Sequence, residues 1–290
     1  MQVTRKTLLQ SEALQIGLFE GRPRTDVCGD VERQRVNAVV LPLNGVFSKH
    51  DAPKRYVVGT PSHAVFFAAQ APYRIGYPGA IGDRALTLHF AETPAELDER
   101  GDRESLPSHG LLDPQAMVLR NLLWRRLQDH TLEALEIESL GLELLGMSLG
   151  AIRLDRDLPR RTPARRMRAL ARVQEAVALA PADKWDVAKL AGIASLSPFH
   201  LCRVFRQMTG TSVYDYVLRE RLAQALDAIA EGGDDLTVVA LDAGFASHSH
   251  FSARFRTFFG CTPAAFRQTA RAGQVRELRK IMTARRGEPA

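Results

Sequence analysis

Two stretches of fourteen residues carry the side chains that could do chemistry here. SPFHLCRVFRQMTG runs from Ser197 to Gly210, and SHSHFSARFRTFFG from Ser247 to Gly260. At an offset of fifty they share Ser, then His three on, Phe eight on, Arg nine on and Gly thirteen on. Ser is a good helix N-cap and Gly suits a left-handed C-cap, so each stretch is predicted to be one short helix. The first turns Leu201, Val204, Phe205 and Met208 inward and Phe199, Cys202, Arg203 and Arg206 outward. The second turns Phe251, Phe255 and Phe258 inward and His248, Ser249, Ser252 and Arg256 outward. Outward arginines can pair bidentately with guanine O6 and N7 or meet phosphates, and short polar side chains can do either.

The candidate contacts in the first helix are Ser197, Phe199, His200, Cys202, Arg203 and Arg206. Arg203 is central and is the expected base reader. Phe199 and Cys202 flank it and could meet thymine methyls, although Phe199 reads equally as a partly buried prop. Arg206 is expected on phosphate. The candidates in the second helix are Ser247, His248, Ser249, Ser252, Arg254 and Arg256. Ala253 stands where the first copy has Arg203, and Arg254 is displaced by one residue, about 100° around the helix. The second helix is therefore expected to contribute positioning more than base reading. His200 and His250 match each other, and a bond to backbone or phosphate is expected of both rather than a ligand role.

A shorter helix precedes each stretch. WDVAKLAGIASLS places Val187, Leu190 and Ala191 inward, and LTVVALDAGFAS opens at Thr237 and carries Val238, Val239 and Leu241. Gly244 falls in the second turn, where positive φ is often required. Short helix, tight turn and longer helix with a polar face make a helix-turn-helix, here twice, the second turn one residue longer. Between the copies, Val213 to Gly233 reads as one helix of about 18 residues, roughly 27 Å long. Such a strut can hold two recognition helices about one duplex turn apart, so that one chain meets two successive major grooves.

The charge distribution points the same way. Residues 160–290 hold 21 Lys and Arg against 12 Asp and Glu, a net +9, whereas residues 1–159 carry −3. A basic half is expected to meet a polyanion. No run of about 18 apolar residues exists to span a membrane, and the N-terminus lacks a secretory pattern. The three cysteines, Cys28, Cys202 and Cys261, have no framework spacing, which fits a reducing cytoplasm.

The first ninety residues read as short strands punctuated by turns: 13–21, 35–45, 62–69, 72–79 and 85–90. A capping box at TPAE follows from Thr93, then helices over about 113–128 and 131–149. Leu132, Leu135, Ile137, Leu140, Leu142, Leu144 and Leu145 give the second an apolar stripe, which serves either packing on the β-domain or a homodimer seam. The expected fold is multi-domain: an N-terminal small β-barrel or sandwich with helices over 1–152, a basic linker over 153–167, an all-α domain with two helix-turn-helix motifs over 168–270, and a tail over 271–290 that could add a short helix.

LSPFHLCRVFRQMTGTSVYDYV, RERLAQALDAI and AGFASHSHFSARFRTFFGCTPAAFR resemble the AraC/XylS family of bacterial transcription regulators, over residues 173–267. The resemblance implies a two-motif helical domain that binds double-stranded DNA and activates or represses transcription, with RNA polymerase as a further partner. It also implies a small packed side chain at Cys261; at Ser195 the family usually has Gly. HAVFFAAQAPYRIGYPG and GDRALTLHF resemble the cupin-like sensors of such regulators, which implies a small-molecule effector of unknown identity. His50, His63 and His89 lack metal-ligand spacing, so neither metal nor cofactor is expected. The rival readings are a cupin-type enzyme with an accessory helical domain, against which stand the missing metal ligands and the lack of any GxSxG, Cys/His constellation or phosphate-cradling Gly loop, and an interaction adaptor that has lost DNA binding.

Overall fold

The computed structural model describes residues 2–52, 55–91, 109–129, 133–154, 164–232 and 235–272. Among these residues, ten strands form two antiparallel sheets. One has the order β1 (Gln2–Gln10), β2 (Gln15–Arg22), β9 (Asp83–Phe90), β4 (Asn37–Gly45), β7 (His63–Phe67), β10 (His109–Leu111). The other has β3 (Glu32–Arg33), β8 (Pro72–Gly76), β5 (Phe47–Ala52), β6 (Arg55–Gly59). Strand alternation sends Ala38, Val65 and Phe67 toward Phe47, Val57 and Tyr73 of the facing sheet. Val39, Leu41, Leu43, Phe66 and Leu88 point the other way, onto α1 (Pro114–Asp129) and α2 (Ala134–Leu154). With both faces covered, β4 reads as the nearly unbroken apolar run NAVVLPL.

This is the sandwich expected of the first ninety residues, with more strands than the sequence indicated. β1, β5 and β6 were not anticipated, because QVTRKTLLQ, FSKHDA and RYVVG are too polar or too short to announce a buried strand. The capping box at Thr93, Leu132 and the tail beyond Ala272 lie outside the described residues. Of the expected linker, residues 153–154 belong to α2 and residues 164–167 already belong to α3 (Ala164–Leu179).

The helical half follows as α4 (Val187–Ala194), α5 (Pro198–Thr209), α6 (Val213–Glu231), α7 (Leu236–Asp242), α8 (His248–Phe259) and α9 (Pro263–Ala272). Leu170, Val173, Leu190, Leu201, Phe205 and Tyr216 close a core around the first motif. Val239, Ala240, Phe251, Phe255 and Phe266 do so around the second, and this core runs on without a break into that of α1 and α2. Helix α6 belongs to both, so it is the spine on which the two motifs are mounted.

That spine is also held by the sandwich through buried polar contacts. Thr60 Oγ1 donates to Glu220 Oε1 at 2.8 Å and lies 2.8 Å from His63 Nδ1. Arg219 donates to the Leu112 carbonyl at 2.7 Å. Near the other end of α6, Arg84 pairs with Asp227 at 3.3 Å and with Glu231, and Asn44 donates to Asp227 at 3.2 Å. Inside the sandwich half, Arg120 is fully buried and donates to the Pro61 carbonyl at 2.6 Å and to Asn121.

A pH dependence follows from His63. Burial first, then His109 and Arg219, hold its pKa well below the ordinary value near 6.5. A depressed histidine adds stability above its unfolded pKa and loses it as pH falls through the folded one. Burial raises the pKa of the neighbouring Glu220, whose contribution is instead lost as pH rises. The difference between wild type and His63→Gln isolates the histidine. The melting temperature of wild type should fall more steeply than that of the variant from pH 7 toward pH 5. Equal slopes would remove His63 from this account.

Candidate nucleic-acid interface

The two motifs are capped alike. Asp186 opens α4 and Asp235 opens α7, their carboxylates accepting from the Lys189 and Thr237 backbone N–H groups. Ser197 accepts from the His200 N–H at 3.3 Å, and Ser247 from the His250 N–H at 3.2 Å. Gly210 and Gly260 end α5 and α8 with φ of 72° and 83°. Each capping oxygen accepts from a backbone N–H that has no partner within its helix, which typically stabilises the helix by about 1 kcal/mol.

The turns differ in detail. Ser195 adopts the left-handed conformation with φ 54°, a geometry usually left to Gly, so the Ser at this position keeps the expected turn. Gly244 has φ 79°, and a Cβ there would lie 2.6 Å from Ala182 Cα. The second turn therefore requires Gly for both conformation and close approach.

On α5, Leu201, Val204 and Phe205 are buried, while Cys202, Arg203 and Arg206 are exposed. Phe199 is 80% exposed, so it is a free surface aromatic and not the partly buried prop that was the alternative. On α8, Phe251 and Phe255 are buried, and His248, Ser249, Arg254 and Arg256 are exposed, with Ser252 half-buried. The third inward phenylalanine is Phe259; Phe258 is half-buried, with the Arg219 guanidinium over its ring. Val187 of α4 and Val238 and Leu241 of α7 also lie more open than the sequence suggested.

The matched histidines are not equivalent in use. His250 sits edge-on to Phe245 and within 3.4 Å of Arg254 Nε. His200 Nε2 is buried without a hydrogen-bond partner. Cys261 is buried, and burial pushes its thiol up to about 11, which makes it a packing residue and not a nucleophile. Trp185 donates to the Ala180 carbonyl at 2.8 Å, just before α4.

The three histidines weighed as metal ligands stand on strands of the two sheets, not on α5 or α8. His50 stacks on Tyr56, His63 is locked at the junction with α6, and His89 lines a cavity between the sheets. Among the described residues, no group of three or more His, Cys, Asp or Glu is arranged to hold a metal ion.

Residues 190–269 match a family model described as a helix-turn-helix domain. This span takes in both motifs, from Leu190 of α4 to Thr269 of α9. It is an AraC-type DNA-binding domain. The probable transcriptional regulator LumQ of Photobacterium leiognathi is 37% identical over 83 residues, 29% of this chain and 34% of LumQ. The RCS-specific transcriptional activator RclR of Escherichia coli K12 is 33% identical over 91 residues, 31% of this chain and 32% of RclR. The chain thus spans about a third of the length of these curated relatives. Among solved structures, the DNA-binding domain of the global transcriptional factor AdpA, in complex with a target DNA, is 30% identical. That match covers 36% of this chain and 97% of the AdpA domain at a TM-score of 0.33. The AraC-type domain here is mounted on the two-sheet half through α6, and no helix among the described residues is long and apolar enough to cross a membrane.

Proposed function

We propose that the chain is a sequence-specific transcriptional regulator whose helices α5 and α8 enter successive major grooves of duplex DNA. The observation that carries this reading is the duplicated exposed face, on which Arg203, Arg206, Arg254 and Arg256 stand while Leu201, Val204, Phe205, Phe251 and Phe255 are buried behind it. Arg203 reads a base edge, with Phe199 and Cys202 beside it. Arg206, Arg254 and Arg256 hold phosphates, while Ser249, Ser252 and His248 contact the second groove. Ser197 and Ser247 cap the two helices, and the N–H groups behind them face the backbone. The reading assigns no catalytic step. Regulation acts through RNA polymerase at a promoter, in the cytoplasm, under control of a small molecule at the two-sheet half. The exposed Leu135 and Leu142 on α2 support a homodimer built on that helix.

Arg203→Ala tests the assignment. On the best duplex selected from a random pool, binding should weaken by about 1–3 kcal/mol, and a second selection should lose preference at one base pair. Wild-type affinity and an unchanged selected sequence would remove α5 from base reading.

A further inference from the structure

A cavity of about 230 Å³ lies between the two sheets. That is half as large again as the roughly 150 Å³ site that accepts benzene in a protein core, so it suits one substituted ring. Phe19, Val40, Phe47, Phe67 and Ile75 form its apolar wall. Arg5, Lys6, Glu32 and His89 stand around it, with Arg5 paired to Glu32 at 3.4 Å.

One end of the wall is different. Tyr77 and Asp83 both line the cavity and both are buried, at 2% and 6% exposure. Tyr77 Oη and Asp83 are neighbours, the hydroxyl lying against the carboxylate, and neither Tyr77 Oη nor Asp83 Oδ1 has another side-chain partner. Gly21 makes room for both, since a Cβ there would run into the Tyr77 hydroxyl and lie 3.0 Å from Asp83 Oδ1. Burial pushes the Asp83 carboxyl up to about 7, and only Tyr77 and its own backbone N–H oppose this; no cation does. Buried polar atoms are nearly always partnered, and leaving one unpaired costs about 1–3 kcal/mol. With the one Tyr77 hydroxyl proton turned to Asp83, this end of the apolar slot is left with acceptor sites and suits a ligand that brings a hydrogen-bond donor.

Strand alternation links this end to the spine. Asp83 faces the cavity, and the next residue, Arg84, faces outward over the Trp124 ring and grips Asp227 and Glu231 of α6. A shift at Asp83 therefore moves the clamp on the helix that carries both motifs.

We propose that this cavity is the effector site, that it selects a compact ring-bearing molecule with an ammonium or hydroxyl donor over one with a carboxylate, and that Arg84 transmits its occupancy to α6. The proposal rests on the regulator reading above, since it names the ligand class of the control assigned there to the two-sheet half. A ligand acts on DNA binding only through its differential affinity for the two arrangements, and the coupling is reciprocal.

Three probes share one body: 2-phenylethylamine, 2-phenylethanol and phenylacetate. Calorimetry on the full chain should give the amine and the alcohol at least tenfold tighter binding than phenylacetate. Asp83→Asn should weaken the amine at least tenfold while leaving the alcohol within threefold. Tyr77→Phe, nearly isosteric, should weaken both donors, which keeps the test open if Asp83→Asn does not fold. Saturating amine should change the affinity for the selected duplex at least threefold in wild type and not in Arg84→Ala. Equal or tighter binding of phenylacetate, no binding of any probe, or full amine affinity in both cavity variants overturns the ligand class. An unchanged DNA affinity in wild type, or a change that persists in Arg84→Ala, overturns the transmission. The duplex affinity of the ligand-free chain is measured beside these, so failure of the regulator reading appears separately, as absent selective binding.

Discussion

Phe255→Ala should cost the chain about 3–5 kcal/mol of folding stability, the range for truncating a buried aromatic side chain. Phe255 is fully buried on α8 and packs against Phe251, Phe259 and Phe266, with ring centroids 5.5, 4.6 and 6.1 Å away. Four rings from two helices leave few ways to refill the space, so the cavity term adds to the lost transfer energy. A domain holds only about 5–15 kcal/mol in all. The core that Phe255 belongs to also includes α1 and α2 of the sandwich half, so the loss should appear in the main urea transition and not only as fraying of the second motif. The midpoint should fall with little change in slope. A cost below about 1 kcal/mol would mean that the second motif is packed differently from what is described here.

The recognition surface was legible because everything that defines it is local. Caps at Ser197 and Ser247, stops at Gly210 and Gly260, and the 3.6-residue spacing of the apolar positions all act within one helix, so a repeat at fifty residues carries them intact. Of two neighbouring phenylalanines the pattern named Phe258, which is half-buried against the same core with Arg219 of α6 over its ring, and missed Phe259, which is the fully buried one. That arginine is 39 residues away in sequence, and periodicity within α8 does not contain it.

The junction between the halves left no comparable trace. Glu220 and Asp227 sit in RERLAQALDAIAE like the charges of any solvated helix face, yet both are buried. Their partners Thr60, Arg84 and Asn44 lie more than 140 residues earlier. Burial of a carboxylate depends on such partners, and one sequence does not reveal pairing at that range. His63 illustrates the same limit. It was weighed as one of three scattered metal-ligand candidates, but it acts as a neutral group packed beside Thr60, His109 and Gln174. The cavity was hidden for a further reason. Tyr77 and Asp83 belong to segments where turn chemistry dominates the pattern, and only the fold of the two sheets turns them toward a common space.

Raising the salt concentration from about 50 to about 200 mM should weaken binding to the selected duplex by roughly fortyfold. Each phosphate neutralised releases condensed counterions, and log K falls with log salt at a slope of about −0.9 per contact. Of the exposed cations on the two recognition helices, Arg206, Arg254 and Arg256 are assigned to phosphates, which sets about three contacts and a slope near −2.7. Removing one phosphate contact with Arg256→Ala should reduce the slope by about 1 and weaken all sequences alike. The net charge of +9 on residues 160–290 offers a different expectation. If that whole basic half lay along the duplex, the slope would approach about −8, and the same salt step would cost more than about ten-thousandfold. A slope near −8 that ignores Arg256→Ala would therefore assign DNA affinity to the diffuse basic surface and leave α5 and α8 with no special place. A slope near −2.7 that falls with Arg256→Ala would tie the affinity to the two helices, because the caps and buried faces of α5 and α8 hold their exposed arginines in register.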